Sequence, residues 1–104
     1  MRVIYIAGKY RADTTYGVYQ NIKKAEAAAI KLWQEGWCVL CPHLNTQLFD
    51  QCGVSPPSVF LEGGLELLRR CDAIFMLNGW AESEGAIKEH KLAKELGLEI
   101  YYEL

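Results

Sequence analysis

Asp72-Ala73-Ile74-Phe75-Met76-Leu77, then Ser83-Glu84-Gly85-Ala86-Ile87-Lys88-Glu89 running on to Leu96, then Glu99-Ile100-Tyr101-Tyr102, reads as strand, helix and strand. The first run is apolar without interruption, the mark of a strand buried on both faces. From Gly85 to Leu96 the period changes to that of a helix. Gly85, Ala86, Leu92, Ala93 and Leu96 fall on one face, and Lys88, Lys91, Lys94 and Glu95 on the other. Ser83 is placed to cap this helix and Gly97 to stop it. A strand, a helix and a second strand with no hairpin signal call for a parallel pair joined by a right-handed crossover.

The same alternation extends back to the N-terminus. Val3 to Ala7 forms a first buried strand, followed by a polar loop over 12–17 and a helix from about Val18 to Glu35. Ile22, Ala25, Ala29, Leu32 and Trp33 make that helix's apolar side, and Gly36 ends it. Trp37 to Cys41 is a second strand that Pro42 closes. Asp50 to Ser58 is the one interval rich in Pro and Gly, a loop placed where it would cover a site. A helix from about Ser58 to Arg70 follows, with Ser58 as its cap, and Gly63-Gly64 marks close packing, a break or a lost side chain. The fold class expected is α/β: a three-layer, flavodoxin- or Rossmann-like parallel sheet of four to five strands with helices on both faces, in a single domain spanning residues 1–104.

Composition narrows the function classes. The 104 residues are 51% hydrophobic and 23% charged, with a net charge of −2 and acids and bases interspersed. Neither a nucleic-acid polymer nor a membrane surface is an expected partner. The apolar N-terminal run is too short for a signal peptide or a span, so a cytoplasmic location is expected. Cys38, Cys41, Cys52 and Cys71 are expected as small buried thiols. Cys38 and Cys41 have the C-x-x-C spacing, but a strand sends alternate side chains to opposite faces, which argues against a metal or redox pair. No metal and no cofactor is expected.

Glu89 carries the chemistry. It projects from the middle of an apolar stripe, where a carboxylate must be paired, neutralised or facing a cavity. Gly85 and Ala86, one turn earlier, leave room beside it, and the helix N-terminus points its free N–H groups at the same place. The alternative is a buried acid satisfied by Arg69, Arg70 or a backbone N–H. Loops after parallel strands share one sheet edge, which assembles Tyr5 to Arg11, His43 with Asn45, and Asn78 to Glu89. Gly8 ends the first strand where a backbone turns or approaches a ligand. His43 and Asn45 are pocket residues or, alternatively, an exposed histidine and a turn cap. A carboxylate, a cation at Arg11, hydroxyls at Tyr5 and Ser83, and aromatic walls at Tyr10 and Trp80 suit a sugar or nucleoside.

Tyr5-Ile6-Ala7-Gly8, Asp72-Ala73-Ile74-Phe75-Met76-Leu77 and Ser83-x-Gly85-x-x-x-Glu89 together resemble the nucleoside 2-deoxyribosyltransferase-like superfamily, which includes the 2′-deoxynucleoside 5′-monophosphate N-glycosidases. Cys41-Pro42-His43-Leu44-Asn45-Thr46 and the stretch from Glu62 to Asp72 are similar to its DUF4406 branch. The resemblance implies a homo-oligomer whose sites borrow residues from a neighbour, a nucleoside or nucleotide substrate, and Glu89 as the nucleophile at C1′. It implies Tyr5 beside that carboxylate, Ser83 on phosphate or sugar hydroxyls, and Arg11 where the monophosphate glycosidases carry an arginine. One position departs: where the family has an aspartate that orients substrate and handles the leaving base's proton, this chain has Gly64. Lys9 departs as well, standing where a proline or small residue is usual. Three readings follow: N-glycosyl transfer or hydrolysis, a non-catalytic nucleotide-binding module of the same fold, and an interaction protein in which Glu89 is ion-paired.

Overall fold

β1, the strand Val3–Ala7, is the centre of the molecule. In the computed structural model, which describes residues 1–53, 56 and 58–104, it lies between two parallel neighbours. The other elements are α1 (Thr15–Gln34), β2 (Cys38–Leu40), α2 (Pro42–Asn45), α3 (Ser58–Leu68), β3 (Ala73–Met76), α4 (Glu84–Leu96) and β4 (Glu99–Tyr102). Single 3-10 turns at Phe49–Gln51 and Trp80–Glu82 punctuate the connections. The strand order is β2-β1-β3-β4, all parallel, with Tyr5 opposite Leu40 on one side and Ile74 on the other. The sheet therefore has four strands, the lower number expected.

Alternation along β1 sorts the core into two halves. Ile4 and Ile6 point to one face and pack with Ala25, Ala29 and Leu32 of α1. Tyr5 and Ala7 point to the other and pack with Leu68 of α3 and Ala86 and Ala93 of α4. A strand with helices on both faces has no polar side, which is why its sequence is apolar throughout. No helix among the described residues is long and apolar enough to cross a membrane.

Several boundaries differ from the sequence expectation. α1 begins at Thr15, inside what reads as a polar loop, because the Thr14 side chain accepts the Gly17 N–H at 3.0 Å and closes the first turn. β2 stops at Leu40, and Cys41-Pro42 opens the short helix α2, so His43 and Asn45 are helical rather than in a loop. Ser58 is the first helical residue of α3, not the residue before it, and α3 ends at Leu68. Gly63 and Gly64 do not break α3. Trp33 and Leu96, assigned to apolar helix faces, are 51% and 43% exposed. Each lies in the final turn of its helix. Cys41 and Cys71 are buried and Cys38 half-buried, but Cys52 is exposed; all four thiols are free. The interval expected as a covering loop includes residues 54, 55 and 57, which lie outside the described residues.

Candidate functional site

The carboxylate of Glu89 and the hydroxyl of Tyr5 meet on the α3–α4 side of the sheet. Tyr5 is fully buried, and its hydroxyl donates to Glu89 Oε2. The geometry follows from local structure: position 5 of β1 faces α4, and Glu89 lies one turn above the buried Ala86 and one below the buried Ala93. Burial pushes the Glu89 carboxyl up from 4.5 to about 7, against the Tyr5 hydrogen bond, which pulls it down. Burial and then the Glu89 charge push the Tyr5 phenol far above its ordinary range, so it stays a donor. Arg69 and Arg70, the alternative partners for Glu89, instead both pair with Glu66, at 3.5 and 3.2 Å.

Gly64 forms the wall beside this pair. A Cβ at Gly64 would stand 2.7 Å from the Tyr5 hydroxyl and 3.8 Å from Glu89 Oε2, whereas one at Gly63 would meet nothing within 4 Å. The double glycine thus has one tightly packed member and one open member. At the start of α4, Ser83 Oγ accepts the Ala86 N–H at 3.2 Å, which leaves the hydroxyl hydrogen over for another acceptor. Gly85 sits beside Leu61 and Ser83 at ordinary contact distances of 3.6 and 3.9 Å for a Cβ. Tyr5, Gly64 and Glu89 thus pack together across β1, α3 and α4, and Ser83 and Gly85 stand at the start of the helix that carries Glu89.

The remaining expected residues form a second group on the loop after β1 and on α2. His43 is buried, and its Nε2 donates to the Lys9 carbonyl at 3.0 Å, while Nδ1 is buried without a partner. Burial holds this imidazole below its usual value of 6.5. The alternative of an exposed histidine is therefore corrected: His43 ties α2 to the loop after β1. Tyr10 packs on the His43 ring at 5.7 Å, and its hydroxyl accepts the Leu48 N–H at 3.0 Å. Asn21 on α1 donates to the Tyr10 and Arg11 carbonyls, fixing the Arg11 backbone while its side chain is exposed. Asn45 is exposed as well. Gly8 has a packing reason to be glycine: a Cβ there would stand 2.6 Å from the Leu77 side chain.

Tyr10 and Trp80 do not share one aromatic wall. Trp80 stacks at 4.3 Å on His90, whose Nε2 lies 2.8 Å from the Tyr102 hydroxyl. This Trp80–His90–Tyr102 cluster was not legible from sequence, since it joins a loop, a helix and the last strand. The nearest signal was His90 beside Glu89. A separate cleft of about 470 Å³ opens at the ends of β1 and β3, where Lys9, Asn21, Lys24, Asn78, Glu82 and Glu103 line it and Glu89 does not. Among the described residues no group of three or more His, Cys, Asp or Glu is arranged to hold a metal ion.

The family described as "Domain of unknown function (DUF4406)" matches residues 2–102 of the chain. No curated protein matches it. Among solved structures the chain is similar to a 2-desoxiribosyltransferase from Leishmania mexicana, with a TM-score of 0.62 and 19% identity over 98% of this chain. The chain spans 63% of that protein's length, and at this identity the likeness is one of fold.

Proposed function

We propose that this chain, which belongs to the DUF4406 family, acts on nucleosides or nucleotides by N-glycosyl transfer or hydrolysis, with Glu89 as the nucleophile. The observation that carries this reading is the Tyr5–Glu89 contact: a carboxylate inside an apolar surface, held by one neutral donor and by no cation among the described residues. An acid balanced near neutrality by burial is suited to attack at an anomeric carbon. A Glu89 oxygen bonds to C1′, the bond from C1′ to the base nitrogen breaks, and its electron pair leaves with the base, which takes up a proton. The glycosyl-enzyme ester then passes its sugar to a second base or to water, and the carboxylate is restored.

Tyr5 holds Oε2 in place and leaves Oε1 for the attack. Ser83 and the unpaired N–H groups of the first turn of α4 are suited to sugar hydroxyls or a 5′-phosphate. Arg11, where the resemblance places an arginine of the monophosphate glycosidases, is the candidate cation for that phosphate, with Gly8 in the loop after β1 and His43 and Asn45 on α2. The similarity to a 2-desoxiribosyltransferase supports a deoxyribosyl group as the moiety carried. Incubation with deoxynucleosides and their 5′-monophosphates tests the proposal. Free base and a covalent sugar adduct on the protein by mass spectrometry are expected, both abolished in Glu89→Ala; turnover unchanged in that variant overturns it.

Gly64 favours a second reading. The superfamily aspartate that would assist the leaving base is absent here, and the Tyr5 hydroxyl occupies the space its side chain would need. General-acid assistance is worth about 10²–10⁴-fold, so a protein without it is also suited to nucleotide binding alone. Thermal stabilisation by a nucleotide with no base released selects that reading.

A further inference from the structure

The outward face of α1 carries a pattern that the site does not use. Tyr16, Tyr19, Lys23, Glu26, Ile30 and Trp33 are spaced three and four residues apart in turn, so they form one stripe along a helix about 30 Å long. This stripe lies beside the buried one of Ile22, Ala25, Ala29 and Leu32. Its four large members are left in solvent: Tyr16 is 67% exposed, Tyr19 and Ile30 53%, and Trp33 51%. The side chains are already ordered against one another. Tyr16 stacks on Tyr19 at 6.3 Å, Lys23 lies 5.7 Å from the Tyr19 ring, and Lys23 pairs with Glu26 at 3.0 Å.

The stripe is symmetric about a point between Lys24 and Ala25. Tyr16 and Trp33 are equidistant from it, as are Tyr19 and Ile30, and so are Lys23 and Glu26. We propose that α1 is the interface at which two copies of this chain associate, antiparallel, about a two-fold axis through that point. In this arrangement Tyr16 of each copy meets Trp33 of the other and Tyr19 meets Ile30. The central layer sets Lys23 against Glu26 across the axis in both directions. The parallel arrangement sets lysine against lysine and glutamate against glutamate, so charge selects the direction. Gln20, Ala27 and Gln34 flank the stripe on its outer side, and none of them bears a charge that would hold a second helix off. The contact lies on the opposite side of the sheet from Glu89 and Tyr5 and leaves them uncovered.

Sedimentation equilibrium of the full chain tests this, with circular dichroism confirming that each variant is folded. The wild type is expected at twice 11.8 kDa and Ile30→Glu at 11.8 kDa. Lys23→Glu places two acids in the central layer and Glu26→Lys two bases, so each variant alone is expected to lose mass twofold. Mixed in equal amounts they are expected to recover it, because unlike charges then face each other only between chains. A wild-type mass of 11.8 kDa at every concentration, a dimer indifferent to Ile30→Glu, or a mixture no heavier than its components overturns the proposal.

Discussion

At the scale of single residues, Tyr5, Gly64 and Glu89 are one unit, and changing any of them acts on the other two. The Tyr5 hydrogen bond pulls the Glu89 pKa down against burial, so Tyr5→Phe raises it further. If Glu89 attacks as the carboxylate, activity in the wild type rises as pH passes about 7. In Tyr5→Phe this rising limb moves to higher pH, which a pH–rate profile of base release measures. Gly64→Ala drives a methyl group into the Tyr5 hydroxyl, and the overpacking costs about 1–3 kcal/mol. Paired with Tyr5→Phe, which removes the atom that clashes, the same substitution costs less. Urea denaturation of the four proteins in the double-mutant cycle measures the difference. The acid was legible in the sequence because a charge in an apolar stripe stands out. Tyr5 beside it came only from the family resemblance, and the reason for Gly64 was not legible, because it depends on how closely α3 approaches β1.

Secondary-structure elements here are decided at their ends. Thr14 and Ser83 cap the two longest helices through side-chain oxygens at 3.0 and 3.2 Å from the amides they accept. Replacing either with alanine is expected to lower stability by about 1 kcal/mol in chemical denaturation. On the proposed function the two caps differ in one respect. Thr14→Ala leaves nucleotide binding intact, whereas Ser83→Ala weakens it, as titration calorimetry with a deoxynucleoside monophosphate measures. The α4 cap was legible because Ser83 precedes a clear helical period. The start of α1 was obscured because Thr15, Tyr16 and Gly17 look like loop residues until the bond from Gly17 N–H to Thr14 is formed. α2 was missed because Pro42 reads as a stop, and it is both the end of one element and the first residue of the next.

Across the whole molecule, two buried groups give opposite dependences on pH. Glu89 has a folded pKa above its ordinary value, so its contribution is complete below about 4.5 and is lost as pH rises through about 7. That loss is at most about 3 kcal/mol. His43 is displaced downward, so its contribution is complete above 6.5 and falls as the solution becomes more acid. Glu89→Gln removes the first dependence and keeps the second. Its stability is expected to rise from pH 5 to pH 7 and then level off, in urea melts where the wild type declines toward pH 8. A parallel sheet of four to five strands was legible from alternating periods alone, since those periods leave few topologies open; its strand order was not. The division of the expected site residues into two groups was not. It is set by the contacts of Lys9, Tyr10 and Arg11 with His43, Leu48 and Asn21, which have no signature in the spacing of residues along the chain.

The alternation of β1 also has a practical consequence. Ile4 and Ile6 serve α1, while Tyr5 serves Glu89, so one strand separates two halves that share hardly any side chains. A tether, fluorophore or solid support attached on α1 outside the Tyr16–Trp33 stripe, as at Lys31, would therefore leave the opposite half facing the liquid and chemically untouched. The sheet serves as a partition, and the molecule offers one side by which it can be held and another that stays available.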